Sequence, residues 1–574
     1  MDKTMSRSSN KGAAVPPTSR APKIRRNPRA CDACSRRSVR CKPAANGRSS
    51  CQNCLDFDEP CTFDRPVRRR GKPRGTLAAV STPPRWHTSP PSVEEAISRW
   101  TPRLEISQAL VMDLTEIFFE VVYPVFPLFH RASLLRRVSR GEHLVSRSLY
   151  ASVAAMCALS SARARDGALL HCAWDLDELR APTSEHFFEA AMDAIPEDVV
   201  SNQSLDYMRA CVLLSITAIQ YGTPSLMSYH LSRYHTYVAV GALHDEMNWP
   251  PGLSVIETEE RRRLFWSAYT LDVFTSVVWN GVINSREASS NVAYPTEDDE
   301  EHLELPGHQT EQVHVGWLRG WNYVTDMYRI LEYAVSDLQR SRTTVIKTPT
   351  IPVLQSSASP SQHVVLDRIT TMYHDLPDIF KTAAEPTHDP RRDLYSFQAA
   401  NIAATIQLVR MVYFSSDISS LEQKCQVARE VLTAFASMPT AYLRAISAPL
   451  FHHLAEIGRI FGAAFGSGMS AALYHSVRAV LLDLTAFLAD LEKKLCFPTD
   501  ASKKVESQVV RIDRFIHEQR QLLNEPSKRP LRVDGNDAYS NSLALPGMNL
   551  EHQSPEINFP PELFEDWDWA FTFT

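Results

Sequence analysis

The sequence predicts a mostly α-helical protein with a small cysteine-rich unit near its amino-terminal end. Between about residues 100 and 525, apolar residues recur at steps of three and four, the period of a helix with one buried face, and few stretches alternate as strands do. Six of the 11 cysteines fall within residues 31–61. Many of the 37 prolines lie in the segments that join these parts. The length allows several domains and a large core.

The cysteine-rich segment repeats one spacing, C-x2-C-x6-C, twice. Its triplets are Cys31, Cys34, Cys41 and Cys51, Cys54, Cys61. Zinc in structural sites takes four tetrahedral ligands, so two separate sites would need eight thiolate contacts. Six cysteines satisfy two ions only if two of them bridge. We therefore predict one cluster of two zinc ions; a disulfide framework is the alternative, which the lack of a secretory segment disfavours.

The segment from Ala30 to Phe63 resembles the binuclear zinc cluster of fungal transcription factors. The resemblance rests on the full spacing C-x2-C-x6-C-x9-C-x2-C-x6-C. It implies a DNA-binding domain over residues 29–63, with Cys31 and Cys51 as the bridging ligands. It also implies double-stranded DNA with CGG-type half-sites as the partner, and Ser38 stands where many relatives carry a basic residue that reads guanine.

The two loops of this segment differ in charge. The loop 35–40 contains three arginines, whereas the loop 55–60 is acidic. Only the first can face phosphates, so we expect a short helix starting near Cys34 to enter the major groove. Arg37 and Ser38 are predicted to reach base edges while Arg36 and Arg40 hold phosphates. The predicted DNA-binding residues of this part are Arg36, Arg37, Ser38, Arg40 and Lys42.

Two basic segments flank the cluster. Residues 1–28 are predicted to be a disordered basic tail, and residues 64–98 a basic arm followed by a proline-rich linker. Residues 1–80 hold 19 Lys and Arg against 6 Asp and Glu, which leaves +13 there and −18 over the rest. The arm suits nuclear import and also contact with the DNA backbone. Its predicted DNA-binding residues are Arg68, Arg69, Arg70, Lys72 and Arg74.

Residues 99–525 are predicted to form one all-α region. A proline-containing loop over 341–365 is expected to separate two helical lobes. The candidate helices are 106–121, 146–164, 184–194, 203–221, 225–240, 257–279, 311–339, 394–414, 418–436, 443–465, 470–494 and 502–523. In the helix 257–279, apolar residues share one face and charged residues crowd the start. No heptads typical of a coiled coil follow the linker.

Three segments of this region resemble the fungal-specific transcription factor domain, also called the middle homology region. They are the runs Tyr123–His130, Gly241–Glu246 and Glu260–Asp272. The resemblance covers roughly residues 105–340. It implies a regulatory domain, which in some members receives a signal from a small-molecule inducer or a protein partner. A homodimer, if formed, would need a surface other than a coiled coil.

The carboxyl-terminal end, residues 526–574, is predicted to be a disordered tail with an activation segment. It has no Lys or Arg from Val533 onward, and its acidic residues alternate with large apolar ones. Such a composition can dock as a short amphipathic helix in a coactivator groove. The alternative is a tail that packs back on the helical region. The predicted activation residues are Leu563, Phe564, Trp567, Trp569 and Phe571.

These observations predict a nuclear, zinc-dependent transcription factor that activates RNA polymerase II genes of a metabolic pathway, either catabolic or secondary-metabolite. A repressor or an architectural DNA-binding factor with the same cluster is the alternative. No catalytic motif is present, and an all-cysteine zinc site leaves no open coordination position, so an enzyme is not expected. No apolar run reaches the roughly 18 residues of a spanning helix, so we expect no membrane partner.

Overall fold

The computed structural model confirms the predicted fold class. It describes residues 30–37, 39–44, 50–64, 100–171, 174–175, 177, 179, 181–279, 281–298, 300, 303, 315–343, 362–387, 389–416, 421–446, 454, 471–494 and 501–524. Helices dominate these residues, and no strand occurs among them. The chain divides into two compact units, residues 1–92 and 93–574. The predicted tails, 1–28 and 526–574, lie outside the described residues.

The first unit contains two short helices, α1 (Asp32–Arg36) and α2 (Gln52–Asp56). Each begins directly after the first cysteine of a triplet. The Sγ atoms of Cys31 and Cys51 cap these helices, because they accept hydrogen bonds from amides in the first turn at 3.5 Å and 3.4 Å. The same two sulfur atoms therefore orient both helices.

Crossed hydrogen bonds join the two halves of the first unit. The amide of Asp32 donates to the carbonyl of Thr62 at 2.8 Å, and the amide of Gln52 donates to the carbonyl of Lys42 at 2.9 Å. In each case the residue after the first cysteine of one triplet meets the residue after the third cysteine of the other. Each half thus gives the other an equivalent hydrogen bond, as approximate two-fold symmetry requires.

The described part of the second unit is a bundle of α-helices. We number them α3 (Gln108–Ile117), α4 (Arg131–Ser139), α5 (Arg147–Arg165), α6 (Ser184–Ala194), α7 (Leu205–Gln220), α8 (Pro224–Gly241), α9 (Val255–Trp279), α10 (Leu318–Thr343), α11 (Gln362–His374), α12 (Pro390–Ser416), α13 (Leu421–Ala436), α14 (Thr440–Ile446), α15 (Ala471–Lys494) and α16 (Ala501–Asn524). Short 3-10 turns join some of them. None of these helices is long and apolar enough to cross a membrane.

The bundle is built around α5, which packs against α3, α6 and α7. Most of α5 from Leu149 to Ala164 is buried, because alanine and serine let neighbouring helices approach from every side. Along the chain, α7 packs on α8, α10 on α12, and α15 on α16. The predicted helices correspond to these elements, apart from the differences below.

Several local elements differ from the prediction. The predicted helix 106–121 ends as an α-helix at Ile117, and Phe118–Val122 continues as a π-helix. The amide of Tyr123 donates to the carbonyl of Phe118, and Pro124 then follows, which prevents further helix. Helix α4 was not predicted, because it is short and basic and buries little more than Leu134 and Val138.

The predicted separation into two lobes is wrong, because one hydrophobic core runs from α3 to α16. Helix α11 begins inside the predicted loop 341–365, and residues 344–361 lie outside the described residues. The Gln398 side chain on α12 donates to the Pro124 carbonyl at 2.5 Å, across what was predicted to be the boundary. The predicted helix 443–465 is described up to Ile446, with Leu454 beyond it.

Helix α9 is buried on all sides along much of its length, and its charged start is part of the core. Arg263 is 1% exposed and Glu259 2% exposed. Arg263 forms an ion pair with Glu300 and lies 3.4 Å from the Tyr123 hydroxyl. Although burial opposes the charge, Tyr123 and Glu300 raise the pKa of Arg263 above its usual range. The arginine therefore stays charged inside the core.

Other charges at the start of α9 bind segments that are distant in sequence. Glu260 accepts a hydrogen bond from the His130 amide at 2.8 Å and pairs with Arg209 at 2.7 Å. Arg262 donates to both carboxylate oxygens of Glu246, at 2.8 Å and 3.0 Å. The three segments that carry the second resemblance therefore contact one another through α9.

We expect Arg263→Met to lower the free energy of unfolding of the helical unit by about 3–5 kcal/mol, because it leaves the Glu300 carboxylate buried without its cation. Chemical denaturation followed by far-UV circular dichroism measures this. Arg368→Met on the exposed face of α11 is the matched control and should change stability by less than about 0.5 kcal/mol. Equal stability of the two variants would contradict a role for this ion pair in holding the core.

Candidate metal centre

The six cysteines of the first unit converge on one place. Their sulfur atoms form two overlapping groups of four, and the atoms within a group lie within 4.8 Å of one another. The groups are Cys31, Cys34, Cys41, Cys51 and Cys31, Cys51, Cys54, Cys61. Two residues, Cys31 and Cys51, occur in both groups. Sharing of this kind is what a bridging ligand requires.

The sulfur separations suit a tetrahedral metal site. Cys31 lies 3.7 Å from Cys51 and 3.6 Å from Cys54, measured between Sγ atoms, and Cys34 lies 3.5 Å from Cys51. A Zn–S bond of about 2.3 Å places two tetrahedral ligands roughly 3.8 Å apart. A disulfide would bring them to about 2.05 Å, and all six are free thiols. The donor set therefore fits zinc, with no pairing into a disulfide framework.

The thiols resist full ionisation without a cation. Burial and the neighbouring sulfurs raise the pKa of the Cys34 thiol to about 12, and the pKa of Cys54 is raised for the same reasons. Burial also opposes ionisation of Cys31, but the Cys34 amide and neighbouring thiols donate to its sulfur and lower its pKa to about 6. A bound cation is what would hold all six as thiolates.

Polar groups around the sulfurs support this arrangement. The Asn53 side chain donates to the Cys34 sulfur at 3.7 Å and to the Arg40 carbonyl at 3.0 Å, so it links the two halves. The Cys51 amide donates to the Cys61 sulfur at 3.4 Å. Such outer contacts orient metal ligands. Asn53 was not predicted as a functional residue, because its role depends on a contact between separate loops.

The described basic residues predicted to contact DNA lie on the surface. These are Arg36, Arg37, Arg40 and Lys42, all of them exposed. The remaining predicted DNA-binding residues lie outside the described residues: Ser38, Arg68, Arg69, Arg70, Lys72 and Arg74.

Arg37 contacts the second loop, which the charge pattern had placed away from the DNA. Its guanidinium forms an ion pair with Glu59 and lies 4.7 Å from the ring centroid of Phe57. Ion pairs and cation–π contacts at exposed sites are weak, about 1 kcal/mol or less each. The Arg37 side chain is therefore directed toward the second loop in this structure, and a base contact would require it to leave Glu59.

The thiols outside the cluster are buried and free where the structure describes them. Burial raises the pKa of Cys211 to about 12 and of Cys425 to about 11, and also raises the pKa of Cys157. They have the properties of core residues and not of reactive thiols. Cys172 and Cys496 lie outside the described residues, as do the predicted activation residues of the tail.

Comparison with known proteins finds one similarity, in the middle of the chain. Residues 115–351 match the family model of the fungal specific transcription factor domain. This region resembles a domain of transcription regulators. The match contains the three segments that α9 brings together, and it supports a regulator of transcription. No curated protein and no solved structure matches the chain.

We expect Cys31→Ala to lose more zinc than Cys41→Ala, because Cys31 belongs to both sulfur groups and Cys41 to one. Zinc per chain, measured by atomic spectroscopy on the purified full-length protein, tests this. Cys425→Ala, a thiol in the helical unit, is the control and should leave the zinc content unchanged. Retention of two zinc ions by Cys31→Ala would refute the bridging assignment.

Proposed function

We propose that the protein is a zinc-dependent, sequence-specific transcription factor that acts in the nucleus and activates genes of one metabolic pathway. The observation that carries the proposal is the pair of overlapping thiol groups that share Cys31 and Cys51, in the same chain as the matched domain. A structural cluster of this kind needs no other cofactor.

In the proposal, the six cysteines hold two zinc ions, with Cys31 and Cys51 as bridging ligands. Zinc supplies structural cross-links here, because four sulfur ligands at each ion leave no position for a substrate. The chain's own part is to hold α1 and α2 in a fixed relation through the crossed hydrogen bonds described above. Metal binding and folding of the first unit are then one process.

Double-stranded DNA is the proposed partner of the first unit. The exposed side chains of Arg36, Arg40 and Lys42 lie on the basic half and would bind phosphates. Ser38 and Arg37 would contact bases of a CGG-type half-site. The basic arm, residues 65–75 of the segment 64–98, would follow the DNA backbone and serve nuclear import. The excess of basic charge over residues 1–80 favours this choice of partner.

The remaining parts of the chain are proposed to control and transmit the signal. The helical unit would respond to a small-molecule inducer or to a second copy of the chain. The tail residues Leu563, Phe564, Trp567, Trp569 and Phe571 would bind a coactivator or the transcription machinery. This aromatic and acidic composition favours an activator over a repressor or an architectural factor.

The proposal predicts that the purified full-length protein contains zinc and binds DNA selected from a random pool. Affinity should fall steeply with salt, since each phosphate contact contributes about one unit to the slope of log affinity against log salt. Chelation of the zinc should abolish specific binding. Absence of zinc, or no salt-dependent binding to any selected DNA, would refute the proposal.

A reporter experiment on the tail distinguishes an activator from a repressor. Residues 549–574 fused to a neutral DNA-binding domain should raise reporter output, and a fusion with Trp567 and Trp569 replaced by alanine is the matched control. Reporter output equal to that of the control would favour the repressor or architectural factor.

We expect Glu59→Gln to raise affinity for the selected DNA several-fold, because Arg37 loses its ion-pair partner and becomes free to contact DNA. Asp56→Asn is the matched control: it removes an acidic charge from the same loop, but its partner is the Gln52 side chain. Equilibrium binding measured for both variants at several salt concentrations tests this. An equal gain in the two variants would show that loop charge alone, and not release of Arg37, sets the affinity.

A further inference from the structure

The helical unit contains a cavity that its core encloses only in part. It lies among the π-helix and α5, α7, α9, α10, α12 and α14, and its volume is about 70 Å³. A water molecule needs roughly 10–15 Å³ by this measure, so the cavity has room for about five waters, whereas packed cores hold few voids larger than one. Most of its lining is apolar, including Val121, Phe126, Ile216, Leu271, Phe274 and Val324.

One charged side chain, Arg163 on α5, is among the described residues that line the cavity, and it is 5% exposed. Its Nη1 atom donates to the carbonyls of Ala445 and Ile446 at 3.1 Å and 2.8 Å. Its Nε atom is buried and has no hydrogen-bond partner. The Arg163 guanidinium offers five N–H donors, and its hydrogen-bond partners among the described residues are two carbonyls in the last turn of α14.

Within the described part of the chain, Arg163 differs from the other buried arginines, Arg209 and Arg263, in forming no ion pair with a carboxylate. Burial lowers the pKa of Arg163 to about 10, and Asp166 offsets this only in part. The carboxylate of Asp166 instead accepts hydrogen bonds from the side chains of Arg165 and Gln220. In contrast, paired carboxylates raise the pKa of Arg209 and Arg263 against the effect of burial. No carboxylate of the described residues hydrogen-bonds to the Arg163 guanidinium, so these residues do not supply the paired anion that a buried cation requires.

Several neutral polar side chains line the same cavity, and two of them, Tyr328 on α10 and Asn401 on α12, differ from the rest. Neither side chain makes a hydrogen bond with the described residues, and burial raises the pKa of the Tyr328 hydroxyl. Both can donate a hydrogen bond. An apolar cavity with a few convergent polar groups is the usual form of a small-molecule site.

We propose that this cavity binds a small aliphatic carboxylate, with the carboxylate on Arg163 and the hydrocarbon tail against the apolar wall. A planar guanidinium matches a carboxylate through two parallel hydrogen bonds, and Tyr328 and Asn401 would each supply a further donor. The size of the cavity limits the tail to a few carbon atoms. A bound ligand would contact α5, α9, α10 and α14 together, and so stabilise their arrangement.

The inference deepens the regulatory part of the proposed function, and its test measures ligand binding without DNA. The probes are 3-methylbutanoate and hexanoate, with the neutral 3-methyl-1-butanol as the matched compound. For the full-length protein, each carboxylate should raise the melting temperature in a saturable way and give a binding isotherm in titration calorimetry. The alcohol should have at least tenfold lower affinity.

Arg163→Met should weaken carboxylate binding at least tenfold, whereas the exposed control Arg368→Met should bind as the wild type does. If Arg163→Met does not fold by far-UV circular dichroism, Tyr328→Phe replaces it and should weaken binding several-fold.

The proposal is overturned if neither carboxylate binds saturably, if the alcohol binds equally well, or if the variant used binds as tightly as wild type. Carboxylate binding by a protein that binds no DNA would keep this inference and refute the proposed function.

Discussion

The helical unit depends on ion pairs and hydrogen bonds that compensate the charged residues buried at the start of α9. Glu259 and Arg263 are almost fully enclosed, and a buried charge without a partner would cost several kcal/mol. Glu259 pairs with Arg262 one turn later on the same helix. Other partners come from distant segments: Glu300 pairs with Arg263, and the Thr296 amide donates to Glu259 at 2.8 Å. Apolar burial supplies the larger driving force but is not directional. We infer that the ion pairs select which loops come to lie against α9.

The first unit depends on a different constraint, the need of clustered thiols for a cation. Sulfur atoms 3.5–3.7 Å apart cannot all carry charge unless a metal compensates them. The unit has little apolar core apart from the cysteines and Ala33. Its helices are short, so neither would persist alone. In this part of the chain a bound metal would take the role that hydrophobic packing has in the second unit.

Features that follow from the local periodicity of the sequence could be predicted, whereas features that depend on contacts between distant residues could not. The long helices were predictable because each carries its own apolar stripe, and the cysteine spacing indicated a shared centre. The start of α9 carries a further local signal that was not used in the prediction, a capping box. The Glu257 amide donates to the Ser254 hydroxyl at 3.2 Å, and the Ser254 amide donates to the Glu257 carboxylate at 3.3 Å. In contrast, the contact of Arg37 with Glu59 and the isolation of Arg163 arise only when separate segments meet.

The crossed hydrogen bonds of the cysteine-rich unit affect how readily its basic side and its acidic side could be exchanged. Because the backbone of one half nearly repeats that of the other, the scaffold itself does not distinguish a front from a back. Polarity resides in surface side chains: arginines in one loop, carboxylates in the other. A few charge exchanges between the loops would reverse the orientation of the unit while every sulfur ligand stayed in place. Under the proposed function, such a scaffold would let evolution alter the DNA-contacting face independently of the metal ligands.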